Sequence, residues 1–322
     1  MLVAGVGRAG LAWGRRRCFA GGWDVIDVAT PVFDFDCWDD SASTVGRVTA
    51  VTDRTLLVGG YRNEVWMVRD GRRLLIEKRY VEDPGEPNPM YPNLPDHEAA
   101  ALALLGPHGW SPRLVAHVPG VVTYEYVPGR MWRRGTAEVA VLLGAVHALS
   151  APRELRLLCG SAAEARTHAD AMVQAVPSRV VAPLAGVRPA EVSAQVLRRR
   201  SLVHTDCGPG NLVRSRRGLV LIDWQCPGRG DPVEDVACFV SPAMMILYQM
   251  APHSPAARHA FLAAYPDRAI VARYRRDSAA WHYRIAAYCV WRADRLARRL
   301  PEVADRYRRA SAAEIAFIEA LS

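Results

Sequence analysis

The stretch Ser201-Leu-Val-His204-Thr-Asp206-Cys-Gly-Pro-Gly-Asn211 carries the strongest signal in the chain. It places an aspartate two residues after a histidine and an asparagine five residues after that aspartate. Twelve residues further on, a short β-type run ends in Asp223. A turn capped by Asp206, with Asn211 in left-handed geometry, would account for the first two residues without any chemistry. It would not account for Asp223, so we interpret the three polar residues as one site.

These three side chains meet the needs of phosphoryl transfer. That reaction requires an aligned acceptor hydroxyl, a group that accepts its proton, and a metal that neutralises the charge of the β- and γ-phosphates. Mg²⁺ favours carboxylate and amide oxygens and keeps several of its waters. The pattern therefore predicts Asp206 as the catalytic base, with Asn211 and Asp223 as ligands of Mg²⁺.

The same residues resemble the catalytic and metal loops of the aminoglycoside phosphotransferase and choline kinase superfamily, a relative of the protein kinases. The resemblance covers about residues 48–322. It implies an enzyme that moves the γ-phosphate of ATP, its co-substrate, to a hydroxyl of a small molecule with Mg²⁺ as cofactor. By position, His204 joins Asp206 in the catalytic loop as the residue that supports it. The resemblance also implies that Asp231 caps a helix and that Asp235 braces the loop.

Lys78 is the only lysine among 41 basic residues, and it lies on a predicted strand. A lone lysine on a strand is usually a surface residue, but a chain that otherwise uses arginine suggests a chemical reason for this one. The family places a Lys or Arg at this position to hold the α- and β-phosphates, paired with a glutamate of the next helix. Glu98 is the natural partner.

Two further segments are expected to contact the nucleotide. Gly59 and Gly60 begin a turn that ends at Asn63, where a loop could lie over the phosphates, although an ordinary hairpin is the simpler interpretation. It lacks the three-glycine pattern of the protein kinases. Glu125 and Tyr126, which precede a predicted hinge, should offer backbone groups to adenine.

Other departures from the protein kinases favour a metabolite or antibiotic kinase that is always active. Thr205 stands where those enzymes have arginine, Trp-Gln follows Asp223 instead of Phe-Gly, and no Ala-Pro-Glu segment appears. A pseudokinase or nucleotide-binding scaffold is the alternative from another class. It is disfavoured because Lys78, Asp206, Asn211 and Asp223 are all present.

The order of elements predicts an α+β fold that is bilobal and protein-kinase-like, with a small β-rich N-lobe and a larger helical C-lobe. The predicted parts are an N-terminal extension (1–45), a nucleotide-binding N-lobe (46–127) and a C-lobe with the catalytic loop and acceptor site (128–322). The predicted strands are Thr55–Val58, Glu64–Val68, Leu74–Tyr80, Arg113–His117 and Val121–Tyr126. The predicted helices are His97–Leu105 with Asp96 as its cap, Ala137–Leu149, Ala162–Ala175, Glu191–Arg199 and Ser278–Arg299.

Composition excludes several classes of protein. No run approaches the 18 or more apolar residues that a membrane span needs. Seven scattered cysteines without CxxC spacing indicate reduced thiols, as in a cytoplasmic protein, and not disulfides or zinc. The net charge is +8, but the basic residues are spread along the chain, so we expect no nucleic-acid partner. The expected partner is a small hydroxylated molecule, and nothing indicates the oligomeric state.

Residues 1–45 form an appendage that contains Gly5-Val-Gly7-Arg-Ala-Gly10, a formal match to the dinucleotide-binding fingerprint. Asp24 and Asp27 lie roughly where a ribose-binding acid would be. An NAD-binding protein is therefore a further alternative, but no βαβ unit follows these glycines. We prefer a disordered extension or a misassigned start codon.

The acceptor is the least determined feature. From Ser241 to Ser322 there are thirteen arginines and seven acidic residues, a balance that disfavours a polycation. Tyr288 and Trp291 share a face of a predicted helix, which resembles the aromatic residues that choline kinases place against a quaternary ammonium. These rings could equally pack the helix onto the core. A choline- or ethanolamine-like amino alcohol is slightly favoured over an aminoglycoside, another antibiotic or a sugar.

Overall fold

The computed structural model describes residues 54–57, 63–81, 87–195 and 200–321. The N-terminal extension and the turn with Gly59 and Gly60 lie outside these ranges. Within them the strands are β1 (Arg54–Leu57), β2 (Glu64–Asp70), β3 (Arg73–Arg79), β4 (Leu114–Val118), β5 (Val121–Glu125), β6 (Arg130–Met131), β7 (Ser201–Val203), β8 (Leu212–Ser215), β9 (Gly218–Leu221) and β10 (Gly228–Gly230). The helices are α1 (Pro95–Leu105), α2 (Thr136–Ala148), α3 (Ala162–Gln174), α4 (Ser178–Ala185), α5 (Val233–Val240), α6 (Pro242–Leu247), α7 (Pro255–Ala264), α8 (Arg268–Leu296) and α9 (Pro301–Glu319).

The N-terminal part is an antiparallel sheet with the strand order β1-β2-β3-β5-β4, and α1 packs against β4 and β5. Strand β3 lies in the middle because its run Leu74-Leu-Ile76 is apolar on both faces. Lys78 is opposite Val65 of β2 and Val122 of β5, so the only lysine lies inside the sheet. The C-terminal part is mainly helical, with the small sheets β6-β8-β9 and β10-β7. This arrangement confirms the predicted α+β fold.

The five predicted strands are present with ends shifted by at most two residues, but the start of the first helix was predicted wrongly. Helix α1 begins at Pro95 after Leu94, and no side chain caps it. Proline is favoured at a first helical position because its fixed φ suits the helix and the missing N–H is not needed there. Asp96 instead lies inside the first turn, and its carboxylate is 3.0 Å from Nε2 of His117.

Two predictions in the helical part also need correction. Residues 191–195 are not helical, and residues 196–199 lie outside the described ranges. Ser193 explains the first result, because its hydroxyl accepts from the backbone N–H of Gln195 and so competes with a helix. Helix α8 begins ten residues before the predicted Ser278, where the Asp267 side chain accepts from the N–H groups of Ala269 and Ile270.

Helix α8 is the axis of the helical part and packs mainly against α9, α3 and α5. A buried carboxylate, Glu314 of α9, joins α8 to the short helix α6. Its Oε2 accepts from Ser241 Oγ (2.7 Å) and Ala243 N (2.9 Å) at the start of α6, and its Oε1 is 2.5 Å from His282 Nδ1. Every donor of this network is buried, so loss of the carboxylate would leave several polar groups unpaired. None of the described helices is long and apolar enough to span a membrane.

We expect Glu314→Ala to lower the free energy of unfolding by about 3–5 kcal/mol, because it breaks a buried ionic and hydrogen-bonded network. Urea denaturation followed by circular dichroism measures the change. Glu319→Ala is the matched control, since Glu319 is exposed on the same helix and its loss should cost less than about 0.5 kcal/mol. Equal unfolding midpoints for the two variants would contradict the structural role of Glu314.

Candidate active site

The hairpin of β8 and β9 brings the two predicted metal ligands together. Leu212 is opposite Leu221, and Ile222 N donates to Asn211 O at 2.9 Å. Asn211 therefore precedes one strand while Asp223 follows the other, side by side at one edge of the hairpin. The twelve-residue spacing in the sequence is the length of this hairpin.

His204 connects the catalytic loop to this hairpin through backbone groups alone. Its Nδ1 accepts from Asp206 N at 3.1 Å, and its Nε2 is 3.0 Å from Ile222 O. Nδ1 carries no proton because it accepts a hydrogen bond, and Nε2 must carry one because a carbonyl only accepts. The ring is therefore neutral. Burial lowers the pKa of His204 and favours that state. These contacts suit a positioning residue that supports the loop.

Asp235 holds the turn before Asp206. Its carboxylate is fully buried and accepts from His204 N and Thr205 N, both at 2.8 Å, while His147 Nε2 lies 3.0 Å away. Burial would raise the pKa of Asp235, but the interactions with His147 and His204 lower it below its usual value. Thr205 has a φ of 75°, a left-handed conformation that costs about 1–3 kcal/mol. The predicted brace is therefore present.

Asp231 lies at the start of α5, as predicted. Its Oδ1 accepts from Val233 N at 3.0 Å, and Arg273 pairs with the same oxygen at 2.6 Å. Because α5 also carries Asp235, this cap fixes the helix that holds the catalytic loop.

Lys78 joins the sheet to the hairpin. Its Nζ is 2.5 Å from Asp223 Oδ1 and 3.1 Å from Glu98 Oε2, so the predicted pairing with Glu98 is present. Only 3% of Lys78 is exposed. Burial alone would lower its pKa, but the charges of Asp223 and Glu98 hold the pKa well above the usual value. Tyr80 also donates to Glu98.

Asp206 lies between the loop and a tyrosine that the sequence analysis missed. Burial, followed by the charge of Asp223, raises the pKa of Asp206 to about 7, although hydrogen bonds from Tyr248 and Asn211 oppose the shift. Tyr248 donates to Asp206 Oδ1 at 3.0 Å. Asn211 Nδ2 donates to Asp206 O at 2.7 Å and to the Tyr248 hydroxyl at 3.0 Å. A general base works best when its pKa is near the working pH.

Several groups that were predicted to contact the nucleotide already have hydrogen-bond partners within the protein. Asn63 is tied to Asn93 and Gln225, with side-chain distances of 2.9–3.2 Å, so it links the sheet to the segment after Asp223. The N–H groups of Glu125 and Tyr126 donate to Arg113 O and Leu74 O. Adenine at this edge would have to use carbonyl groups or the residues that follow.

The aromatic pair of α8 is packed in the core. Tyr288 and Trp291 stack with centroids 6.0 Å apart and are only 3% and 2% exposed. Tyr91 meets the edge of Tyr288 at 4.9 Å, and Asn88 donates to the Tyr288 hydroxyl. The structure therefore brings these rings into a closed cluster and not into an open aromatic cage.

Two cavities lie in the helical part. A cavity of about 400 Å³ is lined by α3, α4 and α8, including Asp170 and Tyr283, and by none of the residues around Asp206. A much smaller one, of about 10 Å³, is lined by Thr205 of the catalytic loop and also by Tyr91 and Glu234.

The sequence matches the model of the phosphotransferase enzyme family over residues 53–276, and the chain belongs to that family. The match includes the whole catalytic loop, the hairpin and Lys78. A comparison with curated proteins gives no significant match.

Solved structures of small-molecule kinases share the fold. A choline/ethanolamine kinase family protein from Mesorhizobium loti has 18% identity and a TM-score of 0.56, with 85% of this chain and 88% of that one covered. A choline kinase from Streptococcus pneumoniae has 17% identity and a TM-score of 0.54, with 82% and 93% covered. A spectinomycin phosphotransferase, solved with ADP and spectinomycin, has 13% identity and a TM-score of 0.52, with 82% and 92% covered. At these identities the likeness shows the fold alone.

We expect Lys78→Met to lower the free energy of unfolding by about 3–5 kcal/mol without nucleotide, because it leaves the buried Glu98 carboxylate without its cation and with Tyr80 as its donor. The double variant Lys78→Met/Glu98→Gln should regain at least half of that loss, since it removes both charges. Urea titrations of both single variants and the double variant form a complete cycle. Strictly additive losses would show that the two side chains do not stabilise each other.

Proposed function

We propose that the chain transfers the γ-phosphate of ATP to a hydroxyl group of a small molecule, with Asp206 as the base that accepts the hydroxyl proton. The observation that supports this best is the convergence of Asp206, Asn211 and Asp223 with Lys78 across the two parts of the fold. Membership of the phosphotransferase family points to the same reaction. In this proposal residues 46–127 bind the nucleotide and residues 128–322 bind the acceptor.

The side chains around the hairpin fit a magnesium ion. Because Asn211 uses its Nδ2 for two hydrogen bonds, its Oδ1 is the atom left to serve as a ligand. Asp223 keeps 38% of its side-chain surface exposed even though it pairs with Lys78. One carboxylate and one amide suit Mg²⁺, which keeps most of its waters and takes phosphate oxygens. When bound, the ion would neutralise phosphate charge in the transition state.

The protein side chains then have separate tasks. Lys78 would turn from Asp223 towards the α- and β-phosphates while Glu98 keeps it in place. Asp206 would align the acceptor hydroxyl and take its proton as the new P–O bond forms. His204 and Asp235 would hold the base without touching the substrates. This division follows from their contacts, since the Asp206 carboxylate accepts from the Tyr248 hydroxyl, whereas His204 and Asp235 are occupied by backbone groups of the loop and the hairpin.

A compact amino alcohol, resembling choline or ethanolamine, is the acceptor that we favour. The cavity beside Thr205, of about 10 Å³, has room for about one water molecule, so any acceptor must displace side chains, and a compact one displaces fewer than a multi-ring aminoglycoside. Glu234 lines this cavity, and its Oε2 is buried without a hydrogen-bond partner in the described part of the chain. Its Oε1 pairs with Arg284 at 2.7 Å, so Oε2 is free to accept one hydrogen bond from the ammonium group of an acceptor. An aminoglycoside or another antibiotic or sugar remains the second candidate because the fold is shared with a spectinomycin phosphotransferase.

Two isosteric variants separate the roles of the carboxylates. Asp206→Asn should keep the affinity for magnesium-ATP but lower turnover by about a hundredfold or more, because it removes the base alone. Asp223→Asn should instead weaken magnesium-dependent nucleotide binding. Calorimetric titration measures the affinity, and release of ADP in the presence of an acceptor panel measures turnover. Asp206→Asn with full activity would remove that residue from the mechanism.

The acceptor is tested with magnesium-ATP and a panel of choline, ethanolamine, sugars and aminoglycosides. We expect transfer to an amino alcohol, and Glu234→Gln should raise the KM for that acceptor by about tenfold, the factor for one hydrogen bond to a charged group. The KM for ATP should stay unchanged, and thermal melting of the variant controls for loss of folded enzyme. Equal use of a sugar without an amine would contradict the amino-alcohol proposal.

A further inference from the structure

Tyr248 occupies a position that the proposed reaction reserves for the substrate. Its hydroxyl donates to Asp206 Oδ1 and accepts from Asn211 Nδ2, both at 3.0 Å. In phosphoryl transfer, the acceptor hydroxyl must donate its proton to the base within hydrogen-bond distance. It must also lie beside the metal ligands that hold the γ-phosphate. The tyrosine hydroxyl meets both conditions without any acceptor.

The catalytic loop is shaped to receive the tyrosine ring. A Cβ atom at Gly208 or Gly210 would lie 2.3 Å from ring carbons of Tyr248, a distance that no side chain tolerates. Both glycines have negative or unexceptional φ values, so the turn itself does not demand them. The close approach of the ring therefore explains the Gly-Pro-Gly sequence. The contact is a built feature of the loop and not a chance approach of two surfaces.

The element that carries Tyr248 can release it. Tyr248 is the C-terminal cap of α6, and Gln249 follows with a φ of 56°, a left-handed conformation that is uncommon for a residue other than glycine. Residues 251–254 then connect to α7 without regular structure. At its other end α6 is fixed by Glu314. Rotation of the end of α6 alone would move the ring while the base stays in place.

We propose that the Tyr248 hydroxyl is a resident substitute for the acceptor hydroxyl, which it keeps out until a true acceptor displaces it. The inference rests on the proposed phosphotransferase function. While Tyr248 donates to Asp206, water cannot take the same position and be activated for attack on ATP. The tyrosine thus suppresses wasteful hydrolysis and requires every acceptor to compete for the base.

The test is magnesium-ATP hydrolysis without any acceptor. Tyr248→Phe keeps the ring against the two glycines but removes the hydroxyl, so water gains access to Asp206. We expect hydrolysis to rise by about tenfold, the factor for one hydrogen bond to a charged group. The rise should disappear in Tyr248→Phe/Asp206→Asn. Tyr283→Phe is the matched control, because it also removes a hydroxyl that donates to a carboxylate, that of Asp170, and it should leave hydrolysis unchanged.

Other outcomes separate this inference from the proposed function. Unchanged or slower hydrolysis by Tyr248→Phe, with normal magnesium-ATP affinity in titration, overturns the proposal that the Tyr248 hydroxyl replaces the acceptor. The proposed phosphotransferase function would stand. A loss of magnesium-ATP affinity in the same variant also overturns it, because the hydroxyl would then serve to orient Asn211. Absence of magnesium-ATP binding in the unmodified protein would instead contradict the phosphotransferase function, and the inference with it. Thermal melting of each variant confirms that folded proteins are compared.

Discussion

The candidate active site depends on one interaction, in which the Asp235 carboxylate accepts hydrogen bonds from the consecutive N–H groups of His204 and Thr205. It holds Thr205 in a left-handed conformation, at the turn from which His204 contacts the hairpin while Asp206 contacts Tyr248. The strained conformation of Thr205 persists because the buried carboxylate of Asp235 accepts from three donors. Loss of that carboxylate would leave every donor unpaired. Asp235, a residue of α5, therefore aligns Asp206 through the backbone of the loop.

Ion pairs of Lys78 join the two parts of the fold. Without nucleotide, Lys78 pairs with Asp223 and Glu98 at once, so the two buried groups, Lys78 and Glu98, compensate each other and the partly exposed Asp223 joins them. The phosphates and metal of a bound nucleotide would supply new partners for Lys78 and Asp223. Gln225 adds a neutral link, since it receives hydrogen bonds from Asn63 and from Leu94 N. These contacts join the two parts of the fold, and in our proposal a bound nucleotide would exchange them for its own.

The sequence predicted those features that depend on local spacing. The grouping of Asp206, Asn211 and Asp223 could be predicted because one hairpin brings them together. Lys78 could be predicted as a site residue because it is a lysine among arginines, and its spacing to Glu98 is short. Tyr248 could not be predicted, because it lies 42 residues from Asp206 and only the path of α6 returns it to the loop. Near Asp206, the feature that could have indicated an approaching ring was the Gly-Pro-Gly run. Similarly, a propensity for helix at residues 191–195 could not reveal that Ser193 competes for the backbone.

The charge of the C-terminal region is a weaker guide to the acceptor than the count of arginines suggested. Arg284 is neutralised by Glu234 at 2.7 Å and Arg273 by Asp231 at 2.6 Å, while Arg298 and Arg299 are exposed. Exposed charges more than about 10 Å away are largely screened by salt. The pair of Glu234 and Arg284 beside Thr205 is neutral overall, so charge does not distinguish a polycation from an amino alcohol. Our proposal of an amino alcohol therefore rests on the closed packing beside the catalytic loop and not on charge.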